Sequence, residues 1–469
     1  MKRNDLRKDI QLNTQLISAR WDEPQRLWIV ETSNQETFQV RYLITALGLL
    51  SKQNFPYFQN LGSFQGELYH TGAWPENVNL RGKRVGVIGN GSTGVQVITA
   101  IAKEVKQLLC FQRSPQYSVP SGDRVVSQEY RHDVNERYDE VWKQAKESMF
   151  AFGFEESKIP TMSVSSAKRE EIFEDAWTKG NGFRFMFGTF CDISYNEEAN
   201  HEAAEFIRRK INATVKDAKK ARKLTPLDFY ARRPLCDTGY YQQFNRDHVD
   251  IIDLKANPIV EFTPHGIKTA DNTVHELDVV IFATGFDAVD GNYTRVNIKG
   301  RNDRTLKEHW ADGPTSYLGV AISDFPNLFT VLGPNGPFTN LPPTIETQVE
   351  FISDTIQEAE RRCNSQTPSN GSPYGGFVHD TNGNANGSPN GTRKITPIIE
   401  ATAEAEDEWT QICDDLSKGS LFRKTDSWIF GANVPGKKNT TMFYFGGLGN
   451  YRQRLKELTQ DGYSGFKPF

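Results

Sequence analysis

Cysteine is scarce: 5 in 469 residues, as Cys110, Cys191, Cys236, Cys363 and Cys413. They lie far apart and no CxxC pair occurs. That spacing signals neither a zinc site nor a redox disulfide, and a reducing, cytoplasmic setting is the expectation. Long apolar runs are also missing. The longest, "YLITALGLL" at 42–50, is too short to span a bilayer. The polar start "MKRNDLRKD" is not followed by a signal peptide. Neither sign of charge dominates: Lys+Arg 55 against Asp+Glu 59 leaves a net −4, which points away from a nucleic-acid partner. No metal-ligand cluster and no Ser-His-Asp spacing stands out. What remains is an ordinary globular composition, 37% hydrophobic and 24% charged, in a chain long enough for two or three domains.

Residues 10–50 alternate apolar and polar positions, as in "RLWIVETS" and "ETFQVRYLITALG", and read as a β-meander that ends in a buried strand. Residues 83–112 read strand, Gly-turn, helix, strand, one βαβ unit. From about 127 to 225 the spacing becomes helical and the residues highly charged, which predicts an all-helical insert. Strands return at "VDIID", "PIVEFT" and "DVVIFATG". A long helix, "TIETQVEFISDTIQEAERRC", follows "LFTVLGPNGPFTNLPP", and another helix is expected at "ATAEAEDEWTQICDDL". Between them, residues 364–392 are low-complexity Asn, Gly, Ser and Pro and predict a disordered loop.

The stretch "VGVIGNGSTGVQV" carries the first chemistry. Gly89 suits the tight turn, Gly91 admits a pyrophosphate to the backbone, and Gly94 lets helix and strand pack, with Asn90, Ser92 and Thr93 between them. The helix amino terminus then faces the phosphates. The second strand ends in "FQRSP", where an NAD-binding unit would carry Asp or Glu. Arg113 suits a 2′-phosphate and Ser114 adds a hydroxyl, so NADPH is the expected dinucleotide. The alternative for Arg113 is a solvated surface arginine.

Just upstream lies "FQGELYHTGAWP". On their own, His70 and Trp74 read as a core histidine and an aromatic plug. Together, Phe64, Gly66, His70, Thr71, Trp74 and Pro75 resemble the F-x-G-x-x-x-H-T-x-x-W-P fingerprint of Baeyer–Villiger monooxygenases, class B flavoprotein monooxygenases. The resemblance runs along nearly the whole chain. "LITALGLLS", "GKRVGVIGNGSTGVQVITA", "GFRFMF", "RRPLCDTGYY", "FATGFDAVDGNY", "VLGPNGPFTNLPP" and "SWIFGANVPGKKN" are similar to the cyclohexanone monooxygenase branch.

That resemblance implies an α/β protein with two dinucleotide-binding, Rossmann-like domains and a helical insert. Residues 1–57 would be a remnant of the FAD domain, 58–118 and 239–286 the two parts of the NADP domain, and 119–238 the insert. Residues 287–469 would complete the FAD domain and the carboxy-terminal region. It implies FAD and NADP as cofactors, and a small-molecule ketone and O2 as partners. One oxygen atom is inserted next to the carbonyl to give an ester or lactone, with secondary-metabolite tailoring as one setting; the oligomeric state is left open. By resemblance, Arg233 is the fixed cation of the reaction and Asp287 stands behind the reacting centre. Arg232 would add a second contact to the 2′-phosphate; alternatively the two arginines are a solvated doublet before Pro234. Ala46, Gly48, Thr284 and Gly285 would lie beside the cofactors. Trp428 would cover NADP, and Phe338, Leu341 and Phe443 would line the substrate pocket. The family's amino-terminal FAD fingerprint has no counterpart before residue 83, so the expectation is that this chain alone purifies without flavin and is inactive on ketones. Two alternatives stay open on the sequence: an inactive NADP-binding remnant or truncated gene model, and an N- or S-oxygenating flavin monooxygenase.

Overall fold

The protein is described here by a computed structural model covering residues 5–365 and 396–468. The meander forms as an antiparallel sheet of Leu16–Asp22, Leu27–Thr32 and Thr37–Val40, with Asn297–Lys299 added in parallel at one edge. Its alternation buries one face. Trp21 and Trp28 stand opposite each other with rings 5.8 Å apart, and the Trp28 indole donates to Pro326 O at 2.7 Å. The strand after the meander departs from expectation. Leu43–Thr45 leaves this sheet to pair in parallel with Leu328–Thr330, and of its residues only Thr45 is buried. A run this short cannot say which sheet it joins.

Five parallel strands form the central sheet, in the order Val249–Asp253, Gln107–Gln112, Arg84–Ile88, Val279–Phe282, Glu67–His70. Because side chains alternate faces along a strand, Val85, Val87, Leu108, Cys110, Val279 and Ile281 point into one core. That core also holds the helix Ser92–Ile101 and the insert. Ile88, Leu109, Phe111, Val280 and Phe282 point into the other, which is closed by the antiparallel sheet Ile259–Thr263, Gly266–Thr269, Val274–Glu276 through Phe262 and Ile267. Both faces are covered, as a parallel sheet requires.

The insert is helical between 127 and 225, and four of its helices start on side-chain caps: Ser127, Ser165, Asn196 and Asp217 accept from backbone N–H groups in their first turns. It is framed by strands, however. Ser118–Pro120 pairs in parallel with Leu235–Asp237, which brings the two ends of the insert together beside the central sheet. A π-helical turn, Arg184–Gly188, interrupts it and buries Phe185, Met186 and Phe187. The carboxy-terminal region packs the long helix Leu341–Ser365 with Ala403–Lys418 and Leu448–Gln460 around Tyr451, Trp409 and Phe351. Of the expected loop at 364–392, residues 364 and 365 are the end of that long helix, and 366–392 lie outside the described residues.

Candidate active site

The glycine turn has the geometry its sequence predicts. Gly89 sits at φ +103°, and a Cβ there would come within 2.5 Å of Ala283 O. A Cβ on Gly94 would come within 2.3 Å of Gly89 O, so the helix can approach the turn only without a side chain. Gly91 differs: a Cβ there would meet nothing within 4 Å. It precedes the helix Ser92–Ile101, whose amino terminus receives no side-chain cap. Free backbone N–H groups facing open space are what a phosphate needs. Asn90 is buried, and its Nδ2 donates to Gln112 Oε1 at 3.1 Å and to Ser114 O at 3.0 Å. Arg113, next along the chain, is exposed, and among the described residues it has no hydrogen-bond or ion-pair partner.

Arg232 and Arg233 are adjacent in sequence but differ in environment. Arg232 pairs with Asp228 at 2.5 Å and donates to Asp426 O at 3.0 Å, while its Nη1 is buried without a hydrogen-bond partner. Arg233 has no carboxylate partner among the described residues. Its Nη1 reaches Ser92 Oγ at 3.5 Å and Pro234 O at 3.3 Å, and its guanidinium lies 5.3 Å from the centroid of the Phe183 ring. Burial holds it below the ordinary guanidinium value, opposed by the nearby Cys236. A part-buried cation therefore stands at the amino terminus of the dinucleotide helix with only weak partners.

The fingerprint residues separate into two groups. Phe64 is buried and packs edge-on to Phe262, and a Cβ on Gly66 would meet Asp278 O at 2.5 Å. His70 ends its strand buried, between the rings of Phe55 and Phe286. Its Nδ1 accepts from Gly72 N at 3.0 Å, which leaves the proton on Nε2, and that atom is buried without a partner. Burial lowers the imidazole's pKa, opposed in part by the nearby backbone of Gly285 and Asn54. Thr71 is tied to the sheet by its backbone, with N 3.1 Å from Phe282 O, and its hydroxyl is likewise buried and unpartnered. Trp74 and Pro75 lie on the surface; Trp74 is 43% exposed and its ring lies 5.9 Å from that of Tyr69. The structure thus brings His70 and Thr71 to the crossing between the sheets, and not Trp74 or Pro75.

At that crossing two segments run side by side, 47–54 and 283–292. Asn54 N, Asp287 N and Val289 N donate to Gly285 O, Lys52 O and Leu49 O, and Thr284 Oγ1 donates to Asn54 O at 2.6 Å. Asn292, buried, donates to Gly48 O at 2.6 Å and accepts from Ser51 N and Lys52 N. Ala46, just before this ladder, is exposed. Asp287 is clamped by two lysines, Lys52 at 2.9 Å and Lys437 at 2.7 Å. Burial alone would raise this carboxyl, but the hydrogen bonds from Lys437 and Lys52 prevail and hold it below the usual range. Lys437 also meets Asp290 and Ala288 O, while Asn433 Nδ2 donates to Phe286 O at 2.8 Å. The segment "SWIFGANVPGKKN" is therefore docked on the crossing.

An apolar wall forms where Phe152, Phe183, Phe338 and Trp428 pack against the buried cluster that holds Phe150, Phe187 and Phe443. Phe183 stacks on Phe152 with centroids 4.0 Å apart, and Phe150 stacks on Phe187 at 3.8 Å. Asn340 N donates to Phe150 O, tying this wall to Leu341 at the start of the long helix. Phe338 packs on Phe443 at 5.5 Å, and Phe443 meets Trp428 edge-on at 5.9 Å. Sequence reasoning missed Phe152, Phe183, Asn292, Asn433 and Lys437. "GFRFMF" and "GKKN" were visible motifs, but nothing in their spacing says which phenylalanine faces Arg233 or which lysine reaches Asp287. A separate cleft of about 730 Å³ lies between helices and is lined by Lys146, Glu350 and Arg452. Those charges already pair with one another. Among the described residues, no group of three His, Cys, Asp or Glu is placed to hold a metal ion, and no helix is long and apolar enough to cross a membrane.

No family model matches the chain. Individual proteins do. A cyclohexanone 1,2-monooxygenase from Acinetobacter sp is 50% identical over 465 residues, 99% of this chain and 80% of that protein. A Baeyer–Villiger monooxygenase from Pseudooceanicola batsensis is 49% identical, covering 98% of this chain and 78% of its own. A phenazine N-monooxygenase from Lysobacter antibioticus is 46% identical, covering 99% and 80%. Among solved structures, cyclohexanone monooxygenase from Rhodococcus sp. Phi1 bound to NADP+ superposes with a TM-score of 0.90 at 52% identity, over 99% of this chain and 82% of that one.

Proposed function

The chain belongs to the family of FAD- and NADPH-dependent Baeyer–Villiger monooxygenases, and on that premise we propose which of its residues do the work and on what. The dinucleotide sits on the glycine turn. Gly91 and the uncapped amino terminus of Ser92–Ile101 meet its pyrophosphate, and Arg113 with Ser114 meets the 2′-phosphate that distinguishes NADPH. FAD lies across the crossing of 46–54 and 283–292, with Ala46, Gly48, Thr284 and Gly285 beside it. The five-stranded sheet is the core of the NADP domain, and the helical insert is inserted between its parts. Cys110, Cys191, Cys236 and Cys413 are free thiols, and a reducing, cytoplasmic setting is part of the proposal.

When bound and reduced by NADPH, FAD supplies the activation of O2; the protein supplies position and charge. One observation carries the reading: Arg233, part-buried and without a carboxylate, over Phe183 at the mouth of the apolar wall. Its guanidinium offers hydrogen bonds to negative charge that develops on the reacting oxygens, and it cannot deliver a proton there because it stays ionised. Phe152, Phe183, Phe338, Phe443 and Leu341 offer a reacting ketone no charge, so the substrate is an uncharged, largely apolar ketone, cyclic or open-chain. Asp287, held by Lys52 and Lys437, fixes the crossing rather than touching substrate.

In a full-length, flavin-loaded version that carries the amino-terminal FAD unit of a relative, supplied with NADPH and cyclohexanone, Arg233→Ala is expected to abolish lactone formation while NADP+ binding persists. Lactone formed at near the parent rate would refute the role. A second reading, oxygenation at nitrogen, is favoured by the similarity to a phenazine N-monooxygenase. Product analysis with a phenazine beside a ketone separates the two.

A further inference from the structure

We propose that Asn90 and Gln112 are positioning residues that set the preference for NADPH by holding the Arg113–Ser114 segment against the phosphate turn. The proposal rests on the reading that this segment meets the 2′-phosphate, and it concerns what keeps it in place. The second strand is well anchored up to its end: Gly89 N donates to Phe111 O at 2.9 Å, and Leu254 N to Gln112 O at 2.8 Å. The next anchor downstream is Gln116 O, which accepts from the Tyr241 hydroxyl at 2.8 Å. Between these points lie Arg113, Ser114 and Pro115, and among the described residues they make one hydrogen bond, from Asn90 Nδ2 to Ser114 O.

That single amide is itself held. Its second contact goes to Gln112 Oε1, and Gln112 Nε2 donates to Lys223 O, at the end of the helix Ala218–Leu224, at 2.6 Å. Asn90 and Gln112 are both buried, with 7% and 2% exposure, so water does not readily replace these bonds. The helix supplying the last carbonyl is pinned in turn, because Lys220 and Lys223 donate to Val249 O and Ile251 O of the edge strand. The chain of contacts thus runs from the edge strand through helix, Gln112 and Asn90 to the one carbonyl beside Arg113. Since Arg113 is long and unpaired, the place of its guanidinium relative to the turn is set by where its backbone is held. Gln112 lies outside the turn, so its loss should register at the 2′-phosphate more than at the pyrophosphate.

The test is the affinity of the 469-residue chain for NADP+, NAD+ and 2′,5′-ADP by calorimetry, for the parent, Arg113→Ala, Asn90→Ala, Gln112→Met and the double variant. Asn90→Ala and Gln112→Met are expected to weaken NADP+ and 2′,5′-ADP by about tenfold while NAD+ changes far less. The double variant should lose less than the product of the singles, because the two act through one carbonyl. Circular dichroism checks that each variant is folded, and Gln112→Met decides the matter should Asn90→Ala fail to fold. If Arg113→Ala leaves the preference for NADP+ intact, the assignment of the 2′-phosphate site is wrong. If Arg113→Ala removes the preference but the Asn90 and Gln112 variants keep it, or weaken NADP+ and NAD+ equally, the positioning role is wrong.

Discussion

Gly91 and Gly94 belong to one GxGxxG turn, yet they should behave oppositely when each is changed to alanine. In Gly94→Ala the new methyl would lie 2.3 Å from Gly89 O and 2.9 Å from Gly89 C, both backbone atoms that cannot rotate away. The helix must retreat by roughly 1 Å, and overpacking of that kind costs about 1–3 kcal/mol. The gain in helix propensity, about 1 kcal/mol, offsets part of it. In Gly91→Ala the backbone is already at φ −71°, ψ −166°, and the methyl meets nothing within 4 Å. Alanine is a poorer cap residue than glycine by about 0.5–1 kcal/mol, but it restricts the unfolded chain by a similar amount, so stability should hardly change. The methyl would nevertheless occupy the space in front of the uncapped helix. Gly91→Ala is therefore expected to keep the parent melting profile and lose NADP+ affinity by more than about tenfold, which is about 1.4 kcal/mol. Gly94→Ala should melt earlier. Melting curves and calorimetric titration with NADP+ measure both. Parent-like NADP+ binding by Gly91→Ala would refute the claim that a pyrophosphate approaches this turn.

Arg113→Ala should weaken NADPH far more than NADH, since a charged contact is worth about 1.5–3 kcal/mol, and equal losses would count against the 2′-phosphate assignment. Lys437→Met leaves Asp287 with Lys52 alone; with the Lys437 and Asp287 side chains 11% and 13% exposed, the clamp should weaken by about 2–3 kcal/mol. Protease cleavage within 427–440 should then accelerate, and an unchanged digestion pattern would show that other contacts hold the segment. The same clamp gives a pH dependence. Because the folded-state carboxyl of Asp287 is depressed, its stabilisation is fully present above the ordinary aspartate value, near about 3.9, and is lost as pH falls through the depressed value. Digestion of 427–440 should thus be flat from neutral pH down to the carboxylate range and rise only below it, and a rise near pH 6 would point to a histidine instead.

Much of this site was legible because a few residues carry constraints that have no substitute. Gly89 and Gly94 announce themselves because a side chain at either would strike backbone. The short apolar runs in "KRVGVIG" and "DVVIFATG" mark strands of the central sheet, whose two faces feed two different cores. What stayed hidden depends on partners distant in sequence. Lys437 is 150 residues from Asp287, and Asn292 is 244 from the Gly48 carbonyl it holds. Trp74 shows a complementary limit: a motif match gives identity and order, not direction, and this ring is 43% exposed. The departure of Leu43–Thr45 to another sheet has the same origin, since three residues hold too little pattern to choose a partner.

The arginine pair shows how far a partner list can decide function. Arg232 and Arg233 share a side chain and a backbone neighbourhood, yet Asp228 neutralises the first and nothing comparable reaches the second. Removing a cation from water costs several kcal/mol when no counter-charge is supplied. The Phe183 ring returns about 0.5–2 kcal/mol of that at 5.3 Å, and the long contacts to Pro234 O and Ser92 Oγ add little. The balance is a guanidinium held in an unfavourable place, whose depressed pKa records the same cost. Such a group gains most from an anion that arrives after folding. The uncapped helix end beside Ser92 and the Phe183 ring are the two sides from which one can come. An oxygen that becomes negative only during reaction, at the wall side, would be stabilised more than any neutral ground state there, and that difference is what lowers a barrier. Arg232, whose charge is already paired with Asp228, has a smaller difference to offer.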